Sequence, residues 1–241
     1  MTIASKSVRG TNMSVTASRR CAGNCPRVPS GQTRDYVIGV DFDNTLVSYD
    51  RVMRAEALRR GLIGSQVRYS KQDIRDAIRQ LPDGEREWQR IQAVVYGVKM
   101  DEAQLIEGVC EFFSHCRAHR VPVFIVSHKT ESADADGTPV HLRAAALGWM
   151  RHHGFFSADG LGLSEADVYF ESTRRGKIER IKQLHCTHCI DDLEDTFRDD
   201  AFPTRVEPIL FAPHRRGPVP PPMQLVTAWH EITDYFFHAD R

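Results

Sequence analysis

The sequence predicts an α/β domain whose central parallel sheet is covered by helices on both faces. Two observations carry that expectation. From Asp35 onward, short apolar runs alternate with stretches of helical periodicity, and strands joined through helices run parallel with both faces buried. Three of the apolar runs also end in reactive side chains, in "VIGVDFDNT", "VFIVSHKT" and "HCIDDLEDT". Open parallel sheets bind ligands beyond the carboxyl ends of their strands. The 241 residues, 41% of them hydrophobic, suit one sizeable domain carrying a small insertion.

The elements follow in order. Tyr36–Val40 reads as a buried strand. Helical patterns follow over Arg51–Arg60, Asp73–Gln80 and Gly84–Tyr96, the last two separated by the Pro82-Asp83-Gly84 turn. A helix is expected over Asp101–Arg120, from the stripe Leu105, Val109, Phe112 and Phe113 and the acids at its start. Val121–Val126 is an uninterrupted apolar strand ending at Ser127, and a polar loop holds Asp134, Asp136 and Gly137. A helix over about Val140–His153 ends at Gly154, a candidate C-cap. Asp167–Phe170 reads as a strand, Lys177–Leu184 as a helix, and Thr187–Ile190 and Val206–Phe211 as strands. A proline-rich turn at Pro218–Pro222 precedes a closing helix over Leu225–Phe237.

Residues 1–34 differ from the rest. They are rich in Ser, Thr, Gly and Arg and contain no acid. They read as a disordered basic tail, unable to bury enough surface to offset its ordering entropy. The same composition also suits an organelle transit peptide.

Composition excludes several classes. The formal net charge is +0, from 32 Lys+Arg and 32 Asp+Glu, which offers no footprint for nucleic acid or an anionic membrane. Apolar runs fall short of the roughly 18 residues that span a bilayer. A soluble, cytoplasmic protein is expected, or an organellar one if the tail is a transit peptide. With no export signal, the six cysteines read as thiols. Cys186-Thr-His-Cys189 has the spacing of a zinc half-site that Cys21 and Cys25 could complete. The competing and stronger reading packs Cys189 in a core strand as a small hydrophobe.

The opening strand poses a chemical question, because Asp41 and Asp43 sit one residue apart at its tip. Like charges that close resist joint ionisation unless a cation or proton intervenes. "DFDNT" (Asp41 to Thr45), Ser127 after "VFIV", Lys177 in "RRGKIERI" and "IDDLED" (Ile190 to Asp195) occur in this order. From Asp35 to Phe211 this set resembles the four motifs of the haloacid dehalogenase superfamily of aspartyl phosphotransferases. The resemblance implies a three-layer, Rossmann-like sheet with a small helical cap inserted at about 48–99. It implies a Mg2+-dependent phosphomonoester hydrolase that works through an aspartyl-phosphate intermediate on a small phosphorylated metabolite. The alternatives are a phosphomutase of the same superfamily and a non-catalytic sensor of a phosphorylated ligand.

The roles have physical reasons beside the resemblance. A carboxylate attacks a negative phosphate ester only if its charge is offset, so Asp41 is the expected nucleophile beside a metal ion. Asp43 is placed to protonate the leaving oxygen and then deprotonate the attacking water. In the superfamily that the chain resembles, an acid at that position marks the phosphatase and phosphomutase branches. A hard cation with oxygen ligands is implied, and Mg2+ fits best. The resemblance gives Asp41, the Asp43 carbonyl and Asp192 as its ligands, with Asp191 in support and Asp195 farther out. Ser127, Lys177, Asn44 and His128 are the expected phosphate-binding residues, with Ser127 and Lys177 offsetting charge in the transition state. Lys129 either touches substrate or lines the loop. Arg51, Arg54, Arg59 and Arg60 are candidates for a second anionic group of the substrate, against the plainer reading of a solvated helix face. The loop from Glu131 to Pro139 borders the entrance. The substrate and the oligomeric state are not legible.

Overall fold

The computed structural model describes residues 36–238 except 69 and 216. The expected disordered tail, the transit peptide, Cys21 and Cys25 lie outside those residues.

The alternating pattern folds as expected into a three-layer α/β domain. Strand β1 (Ile38–Val40) is followed by a two-residue strand β2 (Val47–Ser48) and helices α1 (Asp50–Arg59), α2 (Lys71–Arg79) and α3 (Gly84–Ala93). A π-turn over Val94–Val98 and a 3-10 turn over Met100–Glu102 lead into β3 (Gln104–Leu105) and α4 (Val109–Ala118). Next come β4 (Val123–His128), the hairpin β5 (Ser132–Ala135) and β6 (Thr138–His141), and α5 (Leu142–His152). The chain closes with β7 (Val168–Glu171), α6 (Arg174–Gln183), β8 (His188–Asp191), α7 (Glu194–Phe197), β9 (Glu207–Phe211), β10 (Gln224–Val226) and α8 (Trp229–Phe237).

Six strands form one parallel sheet in the order β10-β9-β8-β1-β4-β7. Strand alternation sorts its side chains between two apolar layers. Ile38, Val40, Val123, Ile125 and Ile190 join a cluster with Phe112 of α4, Ala146 of α5 and Trp229 and Ile232 of α8. Val126 and Cys189 face the other way and pack with Ile181 of α6, Cys186 and Val206. Gly39 shares that second face, where a Cβ would stand 3.2 Å from Cys186 Sγ. Chain order reverses about β1: the chain builds outward through β4 and β7, then returns to β8 on the other side of β1. Such a switch point opens a crevice at the carboxyl ends of the strands.

Three elements differ from the sequence reading. The helix expected from Asp101 begins only at Val109. Leu105, counted in its stripe, instead pairs with Val47 in the antiparallel β2–β3 ribbon. Gly108 then takes φ +88° beside Trp229, where a Cβ would meet the Trp229 Cβ at 2.7 Å. The polar loop after β4 is a hairpin, closed by Asp136 at φ 55° and by Gly137 N donating to Asp134 Oδ1 at 2.7 Å. The segment Leu225–Phe237 splits into β10 and α8.

The thiol reading also needs a correction, because Cys110 is disulfide-bonded. Cys116, Cys186 and Cys189 are free and buried. Cys186 and Cys189 lie in the second apolar cluster, and burial raises both thiols above their ordinary range. No described helix is long and apolar enough to cross a membrane.

Candidate active site

β1 ends after Val40, and Asp41 continues it by donating its N–H to the Ile190 carbonyl of β8 at 2.8 Å. That bond fixes the Asp41 backbone beside the end of β8, where Asp191 emerges. The chain then turns sharply. Leu46 and Val47 donate back to the Phe42 carbonyl at 3.0 and 3.2 Å, with Asn44 in the left-handed region at φ 62°. Phe42 is buried edge-on against Trp149 and Phe170, and Trp229 Nε1 donates to the Thr45 carbonyl at 2.9 Å. Aromatic packing on both sides holds the turn in place.

Asp41 is 5% exposed. Lys177, from the first turns of α6, is also buried, and its Nζ lies 2.5 Å from Asp41 Oδ1 and 2.7 Å from Asp191 Oδ2. Thr173 caps α6 by accepting from Gly176 N at 3.0 Å, which sets the register that aims Lys177 inward. Asp191 is fully buried, and its Oδ1 accepts from Leu193 N at 3.0 Å. Asp192 lies at the rim, with Lys71 Nζ of α2 at 3.9 Å. Asp41, Asp191 and Asp192 each offer a carboxylate oxygen within 4.8 Å of the others.

The electrostatics follow from burial and crowding. Burial pushes the Asp41 carboxyl up to about 6, Asp191 and Asp43 push the same way, and Lys177 opposes them. Burial pushes Asp192 up to about 8 against Lys71, with Asp41 and Asp191 adding repulsion. Burial disfavours the Lys177 charge, yet Asp191 and Asp41 outweigh it and raise its pKa. Three carboxylates thus converge on one lysine and a more distant second. The crowded acid oxygens have the chemistry of a hard-cation site, so the residues present fit a divalent metal.

Asp43 has its own partners. Its Oδ2 is 2.8 Å from Lys129 Nζ, and its Oδ1 accepts from Tyr49 Oη at 2.6 Å and Lys129 Nζ at 3.1 Å. Ser127 Oγ, Thr45 Oγ1 and Asn44 Nδ2 are buried with no hydrogen-bond partner among the described residues. Buried polar atoms that stay unpaired cost about 1–3 kcal/mol each, which leaves hydrogen-bonding capacity unused beside the acids.

The fold thus brings Asp41, Asp43, Asn44, Ser127, Lys177, Asp191 and Asp192 to one end of the sheet. His128 is different. It is exposed, and its ring Nε2 contacts the Ser172 carbonyl at 3.1 Å. Asp195 is exposed and pairs with Arg174 at 3.3 Å. Three of the four candidate arginines have structural contacts: Arg54 donates to the Ser65 and Val67 carbonyls, Arg59 pairs with Glu56, and Arg60 with Glu56 and Asp136.

Tyr49, Lys71 and Tyr96 join the site with no motif to mark them, and Lys129, open in the sequence between substrate contact and loop lining, pairs with Asp43. Lys129 carried a signal: it stands two residues beyond Ser127, and strand alternation puts both on one face. The ladder continues that far, since Lys129 N donates to the Glu171 carbonyl at 2.9 Å.

No protein-family model and no curated protein matches the chain in sequence. Solved structures do match in shape. A haloacid dehalogenase-like family hydrolase from Streptococcus pneumoniae superposes with a TM-score of 0.54 at 15% identity, covering 83% of this chain and 98% of that one. A HAD family hydrolase from Deinococcus radiodurans, solved with bound phosphate and sodium, gives 0.50 at 16% identity, covering 85% and 96%. A HAD hydrolase of family IA from Entamoeba histolytica gives 0.50 at 12% identity, covering 83% and 96%. The fold is that of the haloacid dehalogenase superfamily hydrolases.

Proposed function

We propose that this protein is a haloacid dehalogenase superfamily hydrolase that cleaves phosphomonoesters of small metabolites, with Mg2+ as its cofactor. One observation carries the reading. The buried Asp41 shares Lys177 with Asp191 and meets Asp192 within a 4.8 Å cluster, while Asp43, two residues on, has a separate lysine. A nucleophile and an acid/base are thereby held side by side with different electrostatic partners.

Asp41, Asp191 and Asp192 would hold the cation, which supplies charge neutralisation for an attack by one anion on another. An Asp41 oxygen attacks phosphorus, and the ester P–O bond breaks. Asp43 hands its proton to the departing alcohol oxygen. A water then attacks the aspartyl phosphate and gives its proton to Asp43. Phosphate leaves, and the Asp41 carboxylate is regenerated. Lys177 holds the Asp41 carboxylate and offers positive charge to the phosphoryl oxygens. Ser127, Thr45 and Asn44 have the unpaired polar atoms that can receive them. The phosphate bound to the Deinococcus radiodurans relative is consistent with this reading. The helices of residues 48–99 are the proposed cap, and their small size suits a fairly open entrance.

A panel of phosphorylated metabolites tests the proposal through phosphate release, with Mg2+ and with chelator. Metal-dependent release from a subset is the expected result. Transfer of the phosphoryl group back to substrate without net release would instead mark a mutase. Binding without turnover of any ester would mark a sensor.

A further inference from the structure

We infer that Lys129 is a positioning residue that orients the Asp43 carboxyl group for proton exchange with the leaving group and the attacking water. The inference rests on the proposed phosphomonoesterase reading. Lys129 is 3% exposed, and burying an ammonium costs several kcal/mol unless it is well paired. Its charged partner among the described residues is Asp43, reached at both oxygens, at 2.8 and 3.1 Å. Two ring faces also approach it, with Nζ 5.7 Å from the Phe42 centroid and 5.1 Å from that of Tyr96.

The backbone of Lys129 is held at both its polar groups. Its N–H donates to the Glu171 carbonyl at 2.9 Å, and its carbonyl accepts from Arg143 Nε at 3.0 Å. Arg143 is itself tied to Ser172 Oγ at 2.8 Å. The backbone of Lys129 is thus anchored, and its buried ammonium ties down Asp43, carried on the turn after β1, at both carboxyl oxygens. Tyr49 Oη completes the clamp on Oδ1 at 2.6 Å. The two lysines divide the work: Lys177 serves Asp41 and Asp191, and Lys129 serves Asp43. Such a clamp limits rotation of the carboxylate, and a small misplacement of a catalytic group can cost about 10²-fold in rate.

The test is Lys129→Met in the full chain, assayed as kcat/KM over esters from p-nitrophenyl phosphate to a simple alkyl phosphate. A good leaving group departs without a proton, so only the poor one needs an oriented Asp43. The expected loss is about 10²-fold or more for the alkyl ester and under about fivefold for the aryl ester, with KM little changed. Equal losses across the series, or a loss confined to KM, would overturn the inference in favour of a packing or substrate-contact role. A crystal structure of the variant gives a readout independent of turnover. Asp43 turned from its Lys129-bound orientation, with the Asp41–Lys177 pair intact, supports the inference, and an unmoved Asp43 overturns it. If the wild type hydrolyses no ester, the proposed function fails, and that crystal structure alone decides the positioning role.

Discussion

At the scale of single residues, Asp41 is held where its charge is costly. Burial and neighbouring acids push its carboxyl up to about 6, so the folded chain would be easier to assemble without that charge. Asp41→Asn should therefore abolish turnover, by at least about 10³-fold, while leaving the metal-free melting temperature equal to or above the wild type. A fall in both would mean that Asp41 is structural. Lys177→Met removes the cation shared by two buried carboxylates. It should lower stability by about 3–5 kcal/mol, checked by denaturant unfolding, with part of the loss restored by Mg2+. The motif residues were legible because each stands at a strand end or in the first turns of a helix, where local patterning places it. Tyr49, Lys71 and Tyr96 were not, because their contacts depend on how the segment after β1 folds back, and no local period encodes that.

Among the elements, α1 is tied to its neighbours by a buried acid that no motif marks. Glu56 of α1 is fully buried and meets Arg59 at 2.6 Å, Arg60 at 2.7 Å and Lys99 at 3.2 Å. Arg60 continues to Asp136 of the β5–β6 turn, which fastens the hairpin to α1. The bond from Arg59, with those from Arg60 and Lys99, lowers the Glu56 carboxyl from 4.5 to about 2. A depressed carboxylate stabilises the fold above its unfolded pKa, and that contribution fades as pH falls from about 4.5 toward 2. Glu56→Gln should cost about 2–3 kcal/mol at neutral pH, below the range for wholly buried pairs because its partners reach solvent. In melting experiments from pH 6 to pH 2, the gap between variant and wild type should close, and a constant gap would refute the assignment. The late start of α4 shows where periodicity misleads. Leu105 falls on the stripe of a helix, yet Gly108 at φ +88° cannot be read from spacing. The π-turn that carries Tyr96 toward Lys129 was equally hidden, since π-turns share the composition of the helices they interrupt.

For the molecule as a whole, the parallel sheet is legible in the alternating strand and helix patterns, and the site in the three strand ends that carry reactive side chains, whereas the strand order and its reversal at β1 are not. The edge strand β10 was missed because three residues beside a proline-rich turn carry little signal. The acid cluster joins β1 to β8, so a cation held there links the two halves of the sheet. Mg2+ at saturating concentration should raise the melting temperature of the wild type, by mass action on the folded state. The rise should shrink in Asp41→Asn and in Asp192→Asn, and an equal rise in all three proteins would place the metal elsewhere.

In the proposed reaction Asp41 carries the phosphoryl group, and that covalent step can be trapped. It is tested most directly by quenching the enzyme during turnover of an activated phosphate ester, reducing with borohydride and mapping the peptides by mass spectrometry. Homoserine is expected at position 41, formed only with substrate and metal present and absent from Asp41→Asn. Steady phosphate release with position 41 unmodified, or with the reduced residue at another aspartate, would contradict it.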